Sequence, residues 1–336
     1  MPDIAETHST NRLQTISLSE LYDTVYPAKT QVISGLLYSG AYLFAGAPKV
    51  GKSFCMAQLG YHVSRGLALW DYTVYQGAVL YLALEDDYAR LQKRLSRMFG
   101  TDNDDNFHFA TRAKNIQDGL DIQLTQFMQT HTDTKLIIID TLQKIRELGG
   151  DKYSYANDYE IVTKLKQFAD KHNICIMLVH HTRKQAADDS FDTISGTNGL
   201  LGAADGAFIM QKEKRTGNAA ILDIVGRDQQ DQRLHLSFDR ERCLWCLTTK
   251  ETELWNEPID ALLATIIEFV KNDVMQWSGS ASDLIERLGL DVQPNMLTRK
   301  LNISADALRN EHGIQYESTH KHAGRVITLV LVNSDA

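Results

Sequence analysis

Gly46-Ala47-Pro48-Lys49-Val50-Gly51-Lys52-Ser53 stands directly after the apolar run AYLFA (41–45) and directly before FCMAQLGYHVSRGLA, whose apolar residues recur at helical spacing. The octet meets GxxxxGK[ST] at every fixed position, and a strand before it with a helix after it is the context that motif requires. Glycines let the backbone turn tightly, so that successive N–H groups and the helix N-terminus point at phosphate oxygens, where the helix dipole favours negative charge. In that geometry Lys52 holds the β- and γ-phosphates of ATP and the Ser53 hydroxyl coordinates Mg2+. Gly46, Ala47, Pro48, Lys49, Val50, Gly51, Lys52, Ser53 and Phe54 are the candidate nucleotide contacts.

Outward from this loop, apolar runs of strand length recur at AVLYLAL (78), KLIIID (135), CIMLVHH (175) and GAFIMQ (206), followed by the more alternating AAILDIVGRD and RLHLSFD. Between them YARLQKRLSRMF and IVTKLKQFADKH read as amphipathic helices. Strands alternating with helices predict an α/β fold with a mostly parallel central sheet. In such sheets ligands bind at the carboxyl ends of the strands, so the polar residues that close each run are the next candidates. KLIIID ends in Asp140. Alone, such an Asp is as readily a turn former or helix cap; beside the loop it is the expected second Mg2+ ligand. AVLYLAL is followed by Glu85, Asp86 and Asp87. Glu85, nearest the strand end, is the first candidate to orient or deprotonate water, whereas Asp86 and Asp87 suit the acidic first turn of the next helix. CIMLVHH brings His180 and His181 to the same edge, where one could sense the γ-phosphate or both could be structural.

A chain of 336 residues with 43% apolar composition can bury one large core and a second small one. Residues 1–30 read as a lead-in segment with one short helix, 31–250 as the nucleotide domain, and 257–333 as a separate C-terminal domain, with a break near Asn256. The net charge of −8 excludes a surface that coats duplex DNA. No stretch approaches the roughly 18 apolar residues of a spanning helix, and the N-terminus lacks a signal-peptide core, so a cytoplasmic protein without a membrane partner is expected. Four cysteines do not make a disulfide framework; the CxxC at Cys243 and Cys246 lacks further zinc ligands at matching spacing and reads as a buried strand.

Taken together, GAPKVGKS, LALED, IIIDTL, LVHHTRK, SGTNGL and IVGRD resemble the RepA-like branch of RecA-type ATPases, related to hexameric replicative helicases of plasmids and mobile elements. The resemblance runs from about Ala41 to Asp239. It implies a RecA-like P-loop core in a homo-oligomer, a hexameric ring with ATP between subunits. It makes Glu85 the catalytic base, Asp140 the Walker B aspartate, and His180–His181 the pair that couples γ-phosphate state to neighbouring loops. It also makes Arg227 a finger supplied to the next subunit, with Lys212, Lys214 and Arg215 as weaker candidates. Two polar loops would face the ring channel, where Lys144, Arg146, Lys152, Arg183 and Lys184 would track single-stranded DNA, with Tyr153 or Tyr155 as stacking surfaces.

In the tail, PIDALLATIIEFVKN, SASDLIERLG and SADALRNEHG read as three helices and IQYESTHKHAGRVITLVL as two strands around a turn, together a small α+β, winged-helix-like domain. From Glu257 onward seven basic residues face eleven acidic ones, a balance of −4. The domain therefore either binds a replication partner protein or reads duplex DNA locally, through Arg299, Lys300, Lys321 and Arg325. The leading reading is an ATP-driven DNA helicase or translocase of a plasmid, phage or mobile element. A RecA- or RadA-type repair ATPase and an ATP-dependent assembly or transcription switch remain the alternatives.

Overall fold

The computed structural model describes residues 13, 15–26, 29–146, 155–182, 197–214, 216–252, 260–321 and 324–332. A short helix, α1 (Leu18–Asp23), comes first. Two short strands, β1 (Gln31–Ile33) and β2 (Leu37–Tyr38), then lead into β3 (Gly40–Gly46), α2 (Lys52–Arg65), β4 (Val79–Ala83), α3 (Tyr88–Phe99), β5 (Phe107–Ala110) and α4 (Leu120–Thr130). β6 (Leu136–Asp140), α5 (Tyr155–His172), β7 (Cys175–His181), α6 (Thr197–Ala203) and β8 (Gly206–Lys212) complete a parallel set. β9 (Ala219–Gly226), β10 (Gln232–Asp239) and β11 (Leu244–Thr252) extend it as antiparallel strands.

β3–β11 form one nine-stranded sheet in the order β11-β10-β9-β8-β3-β7-β6-β4-β5, and β1 and β2 form a separate two-stranded sheet. β3, β4 and β6 are buried along their whole length, as a parallel strand covered by helices on both faces must be. Alternate residues feed two cores. Tyr42, Phe44, Tyr81, Ile138, Met177 and Val179 pack under α2 and α3 with Met56, Leu59, Val63 and Leu91. Leu43, Leu82, Ile137, Ile139, Ile176 and Leu178 pack under α4 and α5 with Leu124, Ile161 and Leu165.

The seven runs read from the sequence lie on seven strands of this sheet. β5 is missing from that reading because FHFA is four residues long and buries only its first; α4 is missing from it although Leu120, Leu124, Phe127 and Met128 recur at helical spacing, the first two of them buried. The CxxC segment is a strand but not a buried one: from Leu244 to Thr252 only Trp245 is buried. All four cysteines are free thiols. No helix of the described residues is long and apolar enough to cross a membrane.

The chain divides into two compact units, Lys29–Trp255 and a second that joins Met1–Ala28 to Asn256–Ala336. The second unit contains α1, α7 (Ala261–Glu268, continued by a wider turn over Phe269–Val274), β12 (Gln276–Gly279), α8 (Ala281–Leu288), α9 (Pro294–Ile303), α10 (Ala305–Asn310), β13 (Ile314–Lys321) and β14 (Gly324–Leu331). Its sheet runs β12-β14-β13 around a core of Ile266, Val270, Leu284, Leu297, Leu301, Leu308, Ile314, Ile327 and Leu329. Two elements here lie outside the sequence reading: the half-exposed QWSG strand β12, and α9, whose Pro294 sits harmlessly in the first turn. α8 starts on a capping box in which Ser280 and Asp283 satisfy each other's backbone N–H, and it ends on left-handed Gly289.

The sheet edge opposite the loop 46–53 is pinned by Asp205, only 2% exposed. Its carboxylate accepts from the Ala41 N–H (3.0 Å), Lys29 Nζ (3.0 Å) and Lys166 Nζ. Gly40 makes this possible: its φ is +135°, and a Cβ there would lie 2.5 Å from Asp205 Oδ2. Gly40→Ala is expected to destabilise the nucleotide unit by about 2–4 kcal/mol, the sum of backbone strain and a displaced buried carboxylate. Urea unfolding checks this as a lowered midpoint at unchanged slope.

Candidate functional site

β3 ends at Gly46, and the next residues turn so that Lys52 becomes the first residue of α2. Ala47, Pro48 and Lys49 are exposed, whereas Val50 is buried and anchors the loop. Gly51 has φ +113°, and Lys49 is left-handed as well (φ 64°). Beneath Gly51 lies Trp245 of β11: a Cβ at position 51 would meet its ring at 2.7 Å, and its indole N–H donates to the Gly51 carbonyl (3.3 Å). The Gln58 side chain pairs with the Trp245 backbone N–H and carbonyl (2.8 and 2.9 Å), and Trp70 donates to the same carbonyl (2.8 Å). The loop therefore rests on a braced indole from the far end of the sheet. In the sequence this segment draws notice only for its cysteines; a Trp inside an otherwise polar strand is the signal that points to its role.

Because β7 lies between β3 and β6, side chains from three strand ends converge. Lys52 Nζ donates to the carbonyls of Gly46 (2.7 Å) and Ala47 (3.0 Å) and lies 3.1 Å from His181 Nδ1. An ammonium has no acceptor, so this Nδ1 presents its lone pair. Burial, and secondarily the Lys52 charge, lower the His181 pKa. Ser53 Oγ donates to Asp140 Oδ2 (2.8 Å), and so does the fully buried Tyr81 hydroxyl (2.8 Å). Burial raises the Asp140 pKa, opposed by these two hydrogen bonds. Burial lowers that of Lys52 to about 8, opposed by Asp140 and Glu85. Glu85, exposed just past β4, accepts from Thr141 Oγ1 (3.3 Å), which places it beside Asp140. A hydroxyl and a carboxylate oxygen sharing one hydrogen bond form a hard-oxygen pair of the kind Mg2+ takes together with phosphate oxygens and water.

Other expected residues fall elsewhere. Asp87 caps α3 by accepting from the Arg90 N–H (2.8 Å), and Asp86 pairs with Arg94 (2.8 Å) and Arg90 (3.3 Å), so both acids stand just before the first turn rather than in it. The Phe54 ring packs on Phe238 (5.4 Å between centroids) beneath Arg94. The two histidines diverge by strand alternation: His181 lies on the α2 face with Val179, and the buried His180 on the opposite face with Leu178. Arg227 follows β9 beside Gly206, at the edge away from Gly46; its guanidinium donates to the Gly202 carbonyl (2.9 Å). It does not reach this chain's own loop. Lys212 and Lys214 lie at the loop edge. Lys144 is exposed, but Arg146 is half-buried against Asp158 (2.8 Å) and is not free to take a phosphate. Lys152, Tyr153, Arg183, Lys184 and Arg215 lie outside the described residues, as does the Tyr155 side chain.

A phosphate loop on the central strand, with its acidic partner one strand removed in a mostly parallel sheet, is the arrangement of a RecA-like P-loop ATPase. Residues 7–187 match the AAA_25 family, an AAA domain, and the chain belongs to that family. Among solved structures it is similar to the ATPase domain of G40P, at 16% identity and a TM-score of 0.53 over 63% of this chain and 85% of that one. It is also similar to a DnaB-like replicative helicase, from a structure that also concerns its interactions with primase, at 15% identity and a TM-score of 0.51 over 62% of this chain. The chain spans 57% of that helicase. No curated protein matches the sequence significantly.

The Lys52 environment fixes a pH dependence. A lysine with a lowered native pKa binds fewer protons folded than unfolded between about 8 and its ordinary 10.5, so stability rises with pH across that window. Without nucleotide, wild type is expected to gain on Lys52→Met there with a slope approaching ~1.4 kcal/mol per pH unit. Paired urea titrations at pH 8 and 10 check this; equal midpoint differences at the two values would refute it.

Proposed function

We propose that the protein is a Mg-ATP-driven, ring-forming DNA helicase or translocase that serves replication of a plasmid, phage or mobile element. The observation that carries this reading is the convergence of Lys52, Ser53, Asp140 and Glu85 at one sheet edge. The α2 N-terminal amides would receive the phosphates, and Lys52, released from the Gly46 and Ala47 carbonyls, would turn to the β- and γ-phosphates. Ser53 and Asp140 would hold Mg2+, which offsets charge on the transferring phosphoryl group. Glu85 would accept the proton of the water that attacks the γ-phosphorus as the bond to ADP breaks. His181, in contact with Lys52, is the histidine placed to register loss of the γ-phosphate. Arg227 would act on a neighbouring subunit's site.

Likeness to a DnaB-like replicative helicase supports a replicative motor, and the exposed Lys144 is the described residue best placed to meet single-stranded DNA. α7–α10 with β12–β14 are read as a winged-helix-like module, with α8 and α9 as its helix-turn-helix pair, that engages duplex DNA or a replication partner. An ATP-dependent switch without translocation is the second reading, favoured by the pairing of Arg146, Arg299 and Lys300 with acids of the same chain.

Single-stranded DNA is expected to stimulate Mg-ATP turnover, and Glu85→Gln to reduce turnover by about 10²–10⁴-fold while leaving ATP binding intact. Turnover indifferent to DNA would favour the switch. For the subunit-crossing role, inactive Lys52→Ala and Arg227→Ala proteins are expected to regain partial ATPase activity when mixed. Co-assembly without recovery would remove Arg227 from the site.

A further inference from the structure

α1 contributes no buried residue of its own: Leu18, Leu21 and Tyr22 are 63%, 42% and 37% exposed. Six residues are too few for a helix to stand alone, so its contacts within its own unit hold it. Those contacts gather at its C-terminal end, against α9 and β14. Arg299 of α9 addresses the Asp23 carboxylate from Nε (2.9 Å) and Nη2 (3.5 Å), and Arg325 of β14 donates to the Asp23 carbonyl (3.2 Å). Asn302, 4% exposed and fixed by the Tyr316 hydroxyl (2.7 Å), donates to the Tyr22 carbonyl (2.9 Å). Val25 is the apolar residue that adds to the anchorage.

Two arginines from separate elements thus aim at oxygens of one residue. A guanidinium that grips a carboxylate side-on presents the same fork a phosphate takes. The outward face of α9 carries Asn295, Met296, Arg299 and Ile303, and the second helix of a helix-turn-helix pair is the one that lies against duplex DNA. Lys300 is not part of this set, being paired with Asp260 at the start of α7. Exposed ion pairs of the Asp23–Arg299 kind contribute little net stability, so this pair can be exchanged at small cost for a ligand that offers several phosphates at once, and the Asn302–Tyr22 hydrogen bond and Val25 are what the ligand has to outweigh.

We propose that α1 is a displaceable cover on a phosphate-backbone site formed by Arg299 and Arg325, and that duplex DNA takes this site when α1 leaves. The proposal rests on reading the C-terminal elements as a winged-helix-like module. It explains how a unit with a negative balance can bind DNA: through two arginines that Asp23 occupies in the closed state.

The test titrates a fluorescent mixed-sequence duplex, without nucleotide, with the full chain in four forms: wild type, Asp23→Ala, Arg299→Ala/Arg325→Ala, and all three substitutions together. All are surface changes, and circular dichroism checks the fold. Asp23→Ala is expected to bind about tenfold more tightly at low salt, with a log K against log salt plot steeper by up to about two, near 0.9 per phosphate neutralised. The triple variant should lose that gain. Amide exchange over residues 18–24 should rise when duplex is added to wild type. Equal binding by wild type and Asp23→Ala, with both weakened by the arginine changes, would overturn the cover and leave the DNA-binding module standing. Arginine changes without effect in either background, or a gain that survives in the triple variant, would overturn both. ATP turnover with single-stranded DNA, equal in wild type and Asp23→Ala, separates failure at this site from failure of the motor.

Discussion

The Asp140 carboxylate holds two parts of the molecule together. Tyr81 reaches it from the interior of the neighbouring strand and Ser53 from the first turn of α2, so one oxygen ties the packed sheet to the phosphate loop. The arrangement depends on the strand order. With β7 between β3 and β6, the start of α2 spans the end of one intervening strand, leaving a gap in which His181 faces Lys52. A buried carboxylate held by two neutral donors, beside a partly desolvated lysine, is an environment arranged for a ligand that carries both a cation and negative phosphates.

Much of this could be read from the residue string. Strands buried on both faces need unbroken apolar runs, so β3, β4, β6, β7 and β8 announce themselves, and the polar residue closing each run marks the functional edge. Local spacing could not disclose partners brought together by topology. Trp245 under Gly51, Tyr81 on Asp140 and Thr141 on Glu85 join positions far apart in sequence or lie inside runs whose only visible property is apolarity. Strand alternation separates His180 from His181, a distinction the doublet conceals. α9 is hidden by its Pro294, which reads as a breaker but is tolerated in a first turn.

The two compact units show different ways of using charge. In the larger one Asp205 collects Lys29, Lys166 and a backbone amide at the edge remote from the loop, a buried knot that fixes where β3 and β8 begin. In the smaller one the Asp23–Arg299 pair lies at the surface and joins α1 to α9. The first kind resists rearrangement because breaking it strands a charge in the interior; the second lets water replace either partner.

Trp245 also bears on where the catalytic unit ends. Every motif residue lies before Asp239, and the family match closes at residue 187, so a boundary drawn from motifs would trim the chain before β11. Such a fragment would keep the whole signature and lose the indole on which Gly51 rests. The smallest piece that carries the motif and the smallest piece that can shape it are therefore different lengths of polypeptide, and an excision, fusion or transplant of this ATPase has to respect the longer one.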